Sequence, residues 1–573
     1  VALYPPPEVG GFTATNDNKP SKYFNTYLAL GVGFAAIISL SACSKSGNST
    51  AKDEAPATVN ITSEQAINNP DSLYILAGSE LKDIEPFLDD IKAKTGISIK
   101  LDYTGTIDGA EAIAQGKKAD GAWFSHGKYL SLINGKQIIT QTPIMLSPVI
   151  MGVKQSKAQQ LDLVSADGKT AKTDITWQTI AQKANNGELK YAMTNPASSN
   201  SGFTALMGVV SAFAGTSDAP TEADIAKAQP KLKQFFKGQT LTAGSSGWLA
   251  DAFVKNLDTT NNLDGMINYE SVLMQLNKSS KLKEPLVLLY PKEGIITADY
   301  PLMLLNTSKQ AAYDKVVSYL KTAEFQTKLM QQTFRRPVNS SVKLDSSFNQ
   351  AMMVELPFPN AKTVINSILG SYMNELRLPA RPIFIIDTSG SMSGNGMEQL
   401  KKALMTLTDG DGTTMGDFAK FSEREQVTFI PFNSTPEAEK QYTIGKDAKA
   451  REPVRQFVKD LTAGGGTAIY SSLHKGYQEI VARQSNAAIA QPYYDTIVLM
   501  TDGQNTNGEN FEAFEKFYNT LPANAKNVKT FTVLFGDADP TEMQKIADLT
   551  AGKVFDGRKE NLANVFKQIR GYQ

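Results

Sequence analysis

Two regions of this chain repeat the same alternation of apolar runs and helix-spaced patterns, with different clarity. In the first, "SLYILAG" (72–78), "ISIKLDYTG" (97–105) and "ADGAWFSHG" (119–127) read as strands. "ELKDIEPFLDDIKAKTG" (80–96) and "GAEAIAQG" (109–116) between them read as helices. Further on, "SPVIMGVKQSKAQQL" (147–161) and "PLVLLYPKEGIITADYPLMLLN" (285–306) are long extended stretches. They flank a self-contained α/β segment containing "ITWQTIAQKANNGELKYAMTNPASSNSGFTALMGVV". From residue 381 the alternation becomes cleaner. Apolar strands "IFIID", "QVTFIPFN", "DTIVLMTDG" and "VKTFTVLFG" are spaced by helical patterns over 397–407, 451–461, 468–481, 510–521, 541–549 and 561–569. Strands alternating with helices predict open, mostly parallel α/β sheets, whose ligands lie at the carboxyl ends of the strands.

The spans outside these regions set the organisation. "YLALGVGFAAIISLSAC" (27–43) is an apolar core ending in small residues behind Lys19 and Lys22, of signal-peptide rather than membrane-spanning length. Leu40-Ser41-Ala42-Cys43 resembles the lipobox of bacterial lipoproteins, which implies cleavage before Cys43 and lipid on its thiol and new amino terminus. Residues 44–70, small and polar, read as a tether. Residues 71–350 form one region, 351–380 a linking helix closed by Pro379 and Pro382, and 381–573 a second region.

Composition narrows the chemistry. Lys plus Arg and Asp plus Glu each number 58 among 573 residues, so no electrostatic footprint for nucleic acid appears. One cysteine rules out an internal disulfide and any CxxC site, and two histidines, His126 and His474, argue against a histidine-rich metal centre. No GxSxG elbow and no zinc-ligand spacing is present, so a non-enzymatic role is expected.

The strongest candidate chemistry lies where "IFIID" stops. Asp387, Ser389 and Ser391 stand in the loop leaving a predicted strand, "AGGGTAIY" brings Thr467 to a helix start, and "IVLMTDG" ends a strand at Asp502. Two carboxylates and three hydroxyls are hard oxygen donors, suited to Mg²⁺ or Ca²⁺ and poorly to thiophilic metals. DxSxS alone also fits a polar turn that caps the next helix. DxSxS, GGGT and TDG in that order resemble the von Willebrand factor A domain and its metal-ion-dependent adhesion site. The resemblance implies a doubly wound Rossmann-like fold and a bound Mg²⁺, with Mn²⁺ or Ca²⁺ as alternatives. It also implies Ser389, Ser391 and Thr467 as direct ligands, Asp387 and Asp502 acting mainly through water, and a protein partner donating a carboxylate to the metal.

The first region is similar to the two-lobed (type II) periplasmic solute-binding proteins of the oxyanion-binding kind, through "TWQTIA", "KYAMTNPASSNSGFTAL" and "LYPKEGIITADYPLMLLN". That resemblance implies a pocket between lobes, with Ser79, Thr106, Ser125, Ser201 and Tyr269 as candidate ligand groups. Hydroxyls and backbone N–H groups at helix starts cradle a small oxyanion without formal positive charge, although such residues also serve as ordinary N-caps. His126 faces either the cleft or the surface, and His474 reads as a surface or packing residue. The expectation is an envelope lipoprotein on the periplasmic or extracellular face, anchored to the membrane by lipid. It binds a protein partner through Mg²⁺ and carries a solute-binding-like domain. The alternative is a solute receptor of a membrane transport system with an accessory second domain.

Overall fold

A computed structural model describes residues 67–255, 263–485, 493–559 and 562–573. The apolar segment, Cys43 and the tether up to residue 66 lie outside the described residues. Eighteen strands follow one another along the described chain. In the first region they are β1 (Ser72–Ala77), β2 (Ser98–Tyr103), β3 (Gly121–Trp123), β4 (Thr140–Pro143), β5 (Met145–Lys154), β6 (Tyr191–Thr194), β7 (Gln239–Ala243), β8 (Gly265–Tyr269), β9 (Leu286–Leu289), β10 (Thr297–Ala298), β11 (Pro301–Leu304) and β12 (Arg336–Pro337). The second region holds β13 (Ala380–Asp387), β14 (Gln426–Phe432), β15 (Lys440–Thr443), β16 (Tyr494–Thr501), β17 (Lys529–Leu534) and β18 (Lys553–Asp556).

The first region is two-lobed. One sheet runs β2-β1-β3-β11-β4 and the other β10-β5-β8-β6-β7, with β9 and β12 also paired to β5. The chain crosses from lobe to lobe between β4 and β5 and returns between β10 and β11, as the two long extended stretches predict. Each return strand pairs antiparallel with its neighbours, β11 with β3 and β10 with β5. A buried ion pair pins β12 to the second lobe: Arg336 Nε and Nη2 donate to the two Glu270 oxygens at 2.7 Å each. Such a bidentate pair adds geometric specificity to its energy.

Three expectations need correction. The segment 80–96 is not one α-helix: a 3₁₀ stretch, Ser79–Phe87, precedes an α-helix, Leu88–Thr95. Pro86 lies in that stretch and cannot donate to an i−4 carbonyl. The span 351–380 is α-helical only over Lys362–Ser371, continued by a π turn, Tyr372–Leu376. Pro357 and Pro359 keep the preceding residues extended. Nor is this span a free linker. Thr297 N donates to Glu355 Oε1 at 3.0 Å, the Phe358 ring lies 5.9 Å from Phe203 and 5.7 Å from His126, and Gln239 Nε2 donates to the Tyr372 hydroxyl at 2.9 Å. The span is a strap over both lobes. Finally, Pro382 lies inside β13 rather than at a boundary, in register with Thr496.

The second region is the doubly wound sheet expected from sequence, in the order β15-β14-β13-β16-β17-β18. All eight residues of β13 are buried. A central parallel strand is covered on both faces, which is why "IFII" is apolar without interruption. Ile383 and Ile385 join one core layer with Leu473 and Tyr477; Phe384 and Ile386 join the other with Leu400 and Phe566. From β13 the chain first moves outward on one side to β14 and β15, then returns to β16 on the other. That reversal opens a crevice at the carboxyl ends of β13 and β16.

The two regions pack together through the last residues. Tyr572 meets Trp248 edge-on at 4.8 Å and lies 5.5 Å from Phe531, while Asn195 Nδ2 donates to the Arg570 carbonyl at 3.3 Å. A buried cluster closes the second region on itself: Glu425 accepts from Arg570 Nη2 at 2.7 Å and also from Arg377, whose Nη1 donates to the Gln573 carbonyl at 2.9 Å.

Candidate functional site

The crevice at β13 and β16 gathers all five residues predicted there. Asp387 ends β13, fully buried, and its two oxygens are taken: Ser389 N donates to Oδ1 at 2.7 Å and Thr501 Oγ1 to Oδ2 at 2.5 Å. Those bonds fix the carboxylate and the loop that follows it. The Ser389 and Ser391 hydroxyls stand 3.0 Å apart, and Ser391 Oγ donates to Asp502 Oδ1 at 2.7 Å. Thr467 is brought in by the glycine turn. Gly390 N donates to the Gly465 carbonyl at 2.9 Å, Gly464 N to the Thr388 carbonyl at 2.8 Å, and Gly465 adopts a φ of +83° that favours glycine. A methyl group added at Gly503 would lie 3.6 Å from both Ser391 Oγ and Thr467 Oγ1, which brings both hydroxyls to the same part of the crevice.

Exposure is graded across the site. Asp387 is closed off, Thr467 and Asp502 are 5% and 8% exposed, and Ser391 faces solvent. Burial pushes both carboxyls above their ordinary values; for Asp502 the nearby Asp387 charge adds to the rise, and for both, hydroxyl donors oppose it. Two buried carboxylates beside three hydroxyls form a donor set that suits a hard divalent cation, whose charge would balance both acids. Thr501, not singled out from sequence, is a positioning group for Asp387. Its place in "TDG", one residue before Asp502, was the available signal.

The solute-pocket candidates fare unevenly. Ser79 is exposed. Ser201 Oγ is 2.7 Å from Ser246 Oγ and 2.9 Å from Thr194 Oγ1, a hydroxyl cluster inside the second lobe. Thr106 and Ser125 are buried, and their hydroxyls have no hydrogen-bond partner among the described residues. Tyr269 donates its hydroxyl to Glu80 Oε1 at 3.2 Å. Glu80, which the sequence reading passed over, also accepts from Asn200 Nδ2 at 2.8 and 3.0 Å, and Asn200 Oδ1 accepts from Thr106 N at 2.5 Å. A carboxylate of the first lobe is thus held by two donors of the second. Where residues 105–108 meet 196–203, no space for a water molecule remains.

Both histidines are placed. His126 is buried rather than on the surface, its ring against Phe358, with neither ring nitrogen hydrogen-bonded among the described residues. His474 is half-buried, stacked 3.6 Å from Phe517, with Nδ1 2.9 Å from Glu509 Oε1, in keeping with a packing role.

Comparison with known proteins agrees with this division. Residues 383–568 match the profile of the von Willebrand factor type A domain, and residues 73–335 that of the bacterial extracellular solute-binding protein family. Human inter-alpha-trypsin inhibitor heavy chain H3 is 24% identical over 176 residues, 30% of this chain and 19% of that protein, so the chain spans less than a fifth of this curated relative. Among solved structures, the periplasmic binding protein AfuA from Actinobacillus pleuropneumoniae is 14% identical with a TM-score of 0.41, covering 53% of this chain and 98% of its own. A von Willebrand factor type A protein from Catenulispora acidiphila is 20% identical with a TM-score of 0.27, covering 34% of this chain and 42% of its own. The chain thus joins a region similar to the extracellular solute-binding family to one similar to the von Willebrand factor type A domain.

Proposed function

We infer that this is a recognition protein of the bacterial cell envelope, anchored by lipid at Cys43, whose second domain binds a protein partner through a divalent metal, Mg²⁺ first. The observation that carries the reading is the convergence of Asp387, Ser389, Ser391, Thr467 and Asp502 on one crevice with Ser391 at its mouth. A bound Mg²⁺ supplies a Lewis-acidic position for a partner's carboxylate. The chain's own residues do the rest: Thr501 and the Ser389 amide hold Asp387, and the glycine turn holds Thr467 beside Ser391.

In the first domain, the unpartnered Thr106 and Ser125 hydroxyls support a small-ligand role. The Glu80 bridge adds a condition: an oxyanion reaches the donors Asn200 and Tyr269 only by displacing the chain's own carboxylate.

The test is calorimetric titration of Mg²⁺ into the full chain, followed by recovery of envelope proteins on the immobilised chain in Mg²⁺ and in EDTA. Saturable Mg²⁺ binding and a protein released by EDTA are expected. Absence of Mg²⁺ binding would remove the reading.

A further inference from the structure

A second cavity lies between the two domains, away from the metal crevice. Its volume is about 460 Å³, within the usual range for small-molecule pockets, which favour domain junctions. One wall is the helix Ser246–Lys255 of the first domain; the other is formed by β17, β18 and the end of the helix Pro540–Leu549.

Four ammonium groups and two carboxylates line it: Lys255, Lys281, Lys529 and Lys553 against Asp251 and Asp548. Most of these have partners. Asp251 pairs with Lys281 at 3.8 Å, Asp548 accepts from Gln544 Nε2 at 2.9 Å, and Lys553 Nζ donates to the Tyr572 hydroxyl at 2.7 Å. Lys529 does not. The residue is only 6% exposed, and among the described residues no acceptor pairs with its ammonium, which opens onto the cavity rather than being sealed from water. Partial desolvation disfavours the charge of an unpaired ammonium, and such groups are ordinarily matched by a counter-charge. The charge that acts on it here is another cation, Lys255.

We propose that this interdomain cavity binds a small organic anion, a carboxylate or phosphate, whose charge is neutralised by Lys529 and whose body rests against Trp248. The ligand touches both domains, so it ties them together. Burial, with Lys255 adding repulsion, pushes the Lys529 ammonium down to about 8. Anion capture favours the charged amine, so affinity falls as pH rises from 7 to 9. The other charged groups facing the ligand are Lys255 and Asp251 on the first-domain helix, Lys281 beyond it, Asp548, and Lys553 on β18. This site does not depend on the metal crevice.

Trp248 is the reporter. The other two tryptophans, Trp123 and Trp177, are fully buried elsewhere, so a saturable fluorescence change at constant ionic strength reads this cavity. The probes for the full chain are inorganic phosphate, glycerol 3-phosphate and citrate, with phosphatidylglycerol vesicles as a separate arm for a lipid phosphate. At least one probe is expected to shift Trp248 emission and raise the melting temperature. A response to vesicles alone assigns the anion to a headgroup. Lys529→Met should weaken binding at least about tenfold and abolish its pH dependence, while raising the melting temperature without anion because the buried charge is gone. Lys255→Ala, on the exposed rim, should weaken binding by a smaller factor and leave folding intact. No response to any probe, or an unchanged response in Lys529→Met, overturns the proposal.

Discussion

The interlobe cleft and the crevice at β13 and β16 use similar groups to opposite ends. Each sets carboxylates among hydroxyl and amide donors near the ends of strands. In the cleft, Glu80 belongs to one lobe and its donors, Asn200 and Tyr269, to the other, so the bonds hold two bodies shut. Phe358 and the strap 351–376 lie across the same junction. In the crevice, every group hangs from loops of one sheet, and the internal bonds order the donors without closing the mouth. The difference shows that similar donor chemistry can either satisfy itself or stay open. What decides is whether the groups that complete it come from one rigid body or from two that can meet.

The largest effect that can break this contrast is at Asp387. Asp387→Ala removes a carboxylate that two donors organise, and Mg²⁺ affinity is expected to fall by about 100-fold or more. Asp502→Ala should behave similarly. Calorimetry on the full chain measures both, with circular dichroism as the check on folding. Equal affinity in wild type and Asp387→Ala would show that the crevice holds no metal through this residue.

Next is the clamp. Glu80→Ala leaves Asn200 Nδ2 and the Tyr269 hydroxyl without their shared acceptor across the lobes. Losing hydrogen bonds to a charged group costs about 1.5–3 kcal/mol, so the melting temperature should drop. Small-angle scattering should report a larger radius, and phosphate, sulfate or molybdate should bind more tightly than to wild type. A variant as compact as wild type would assign closure to the strap instead.

Ser391→Ala sharpens the other side of the comparison. It removes one solvent-facing hydroxyl and its bond to Asp502, leaving both carboxylates in place. Mg²⁺ affinity is expected to fall about tenfold, less than for either aspartate. A larger loss than in Asp387→Ala would mean that hydroxyl ligation outweighs charge balance at this site.

These two sites were not equally legible from sequence, and the reason is physical. The crevice is written in three short contiguous motifs because Asp387, Ser389, Ser391 and Asp502 end or follow strands and Thr467 sits just before a helix start, and β13 announces itself as an apolar run. The cleft is assembled from pairs such as Glu80 and Asn200, 120 residues apart, which no local pattern couples. Glu80 reads locally as an acidic residue in a helical first turn, an ordinary preference. The two-lobe division was readable because the crossings are long extended stretches. The strap was not, since its anchors Glu355, Phe358 and Tyr372 act on distant partners.

The smallest effect concerns the charge of Glu80 alone. Burial raises its folded-state pKa above the ordinary 4.5, outweighing the donors Asn200 and Tyr269 and the nearby Arg335 charge. Between the unfolded value and the raised folded value, the folded chain therefore binds more protons than the unfolded one. Linkage then makes this group's contribution decline as pH rises through that window, the reverse of a salt-bridged carboxylate. Glu80→Gln keeps an acceptor for Tyr269 and removes the ionisation. The variant should lose stability less steeply than wild type as pH increases from about 4.5 upward, measured as the difference between denaturant midpoints of the two proteins. Parallel midpoints across the range would show that Glu80 titrates alike in the folded and unfolded chains, and that the clamp works through its hydrogen bonds, with burial imposing no net charge penalty.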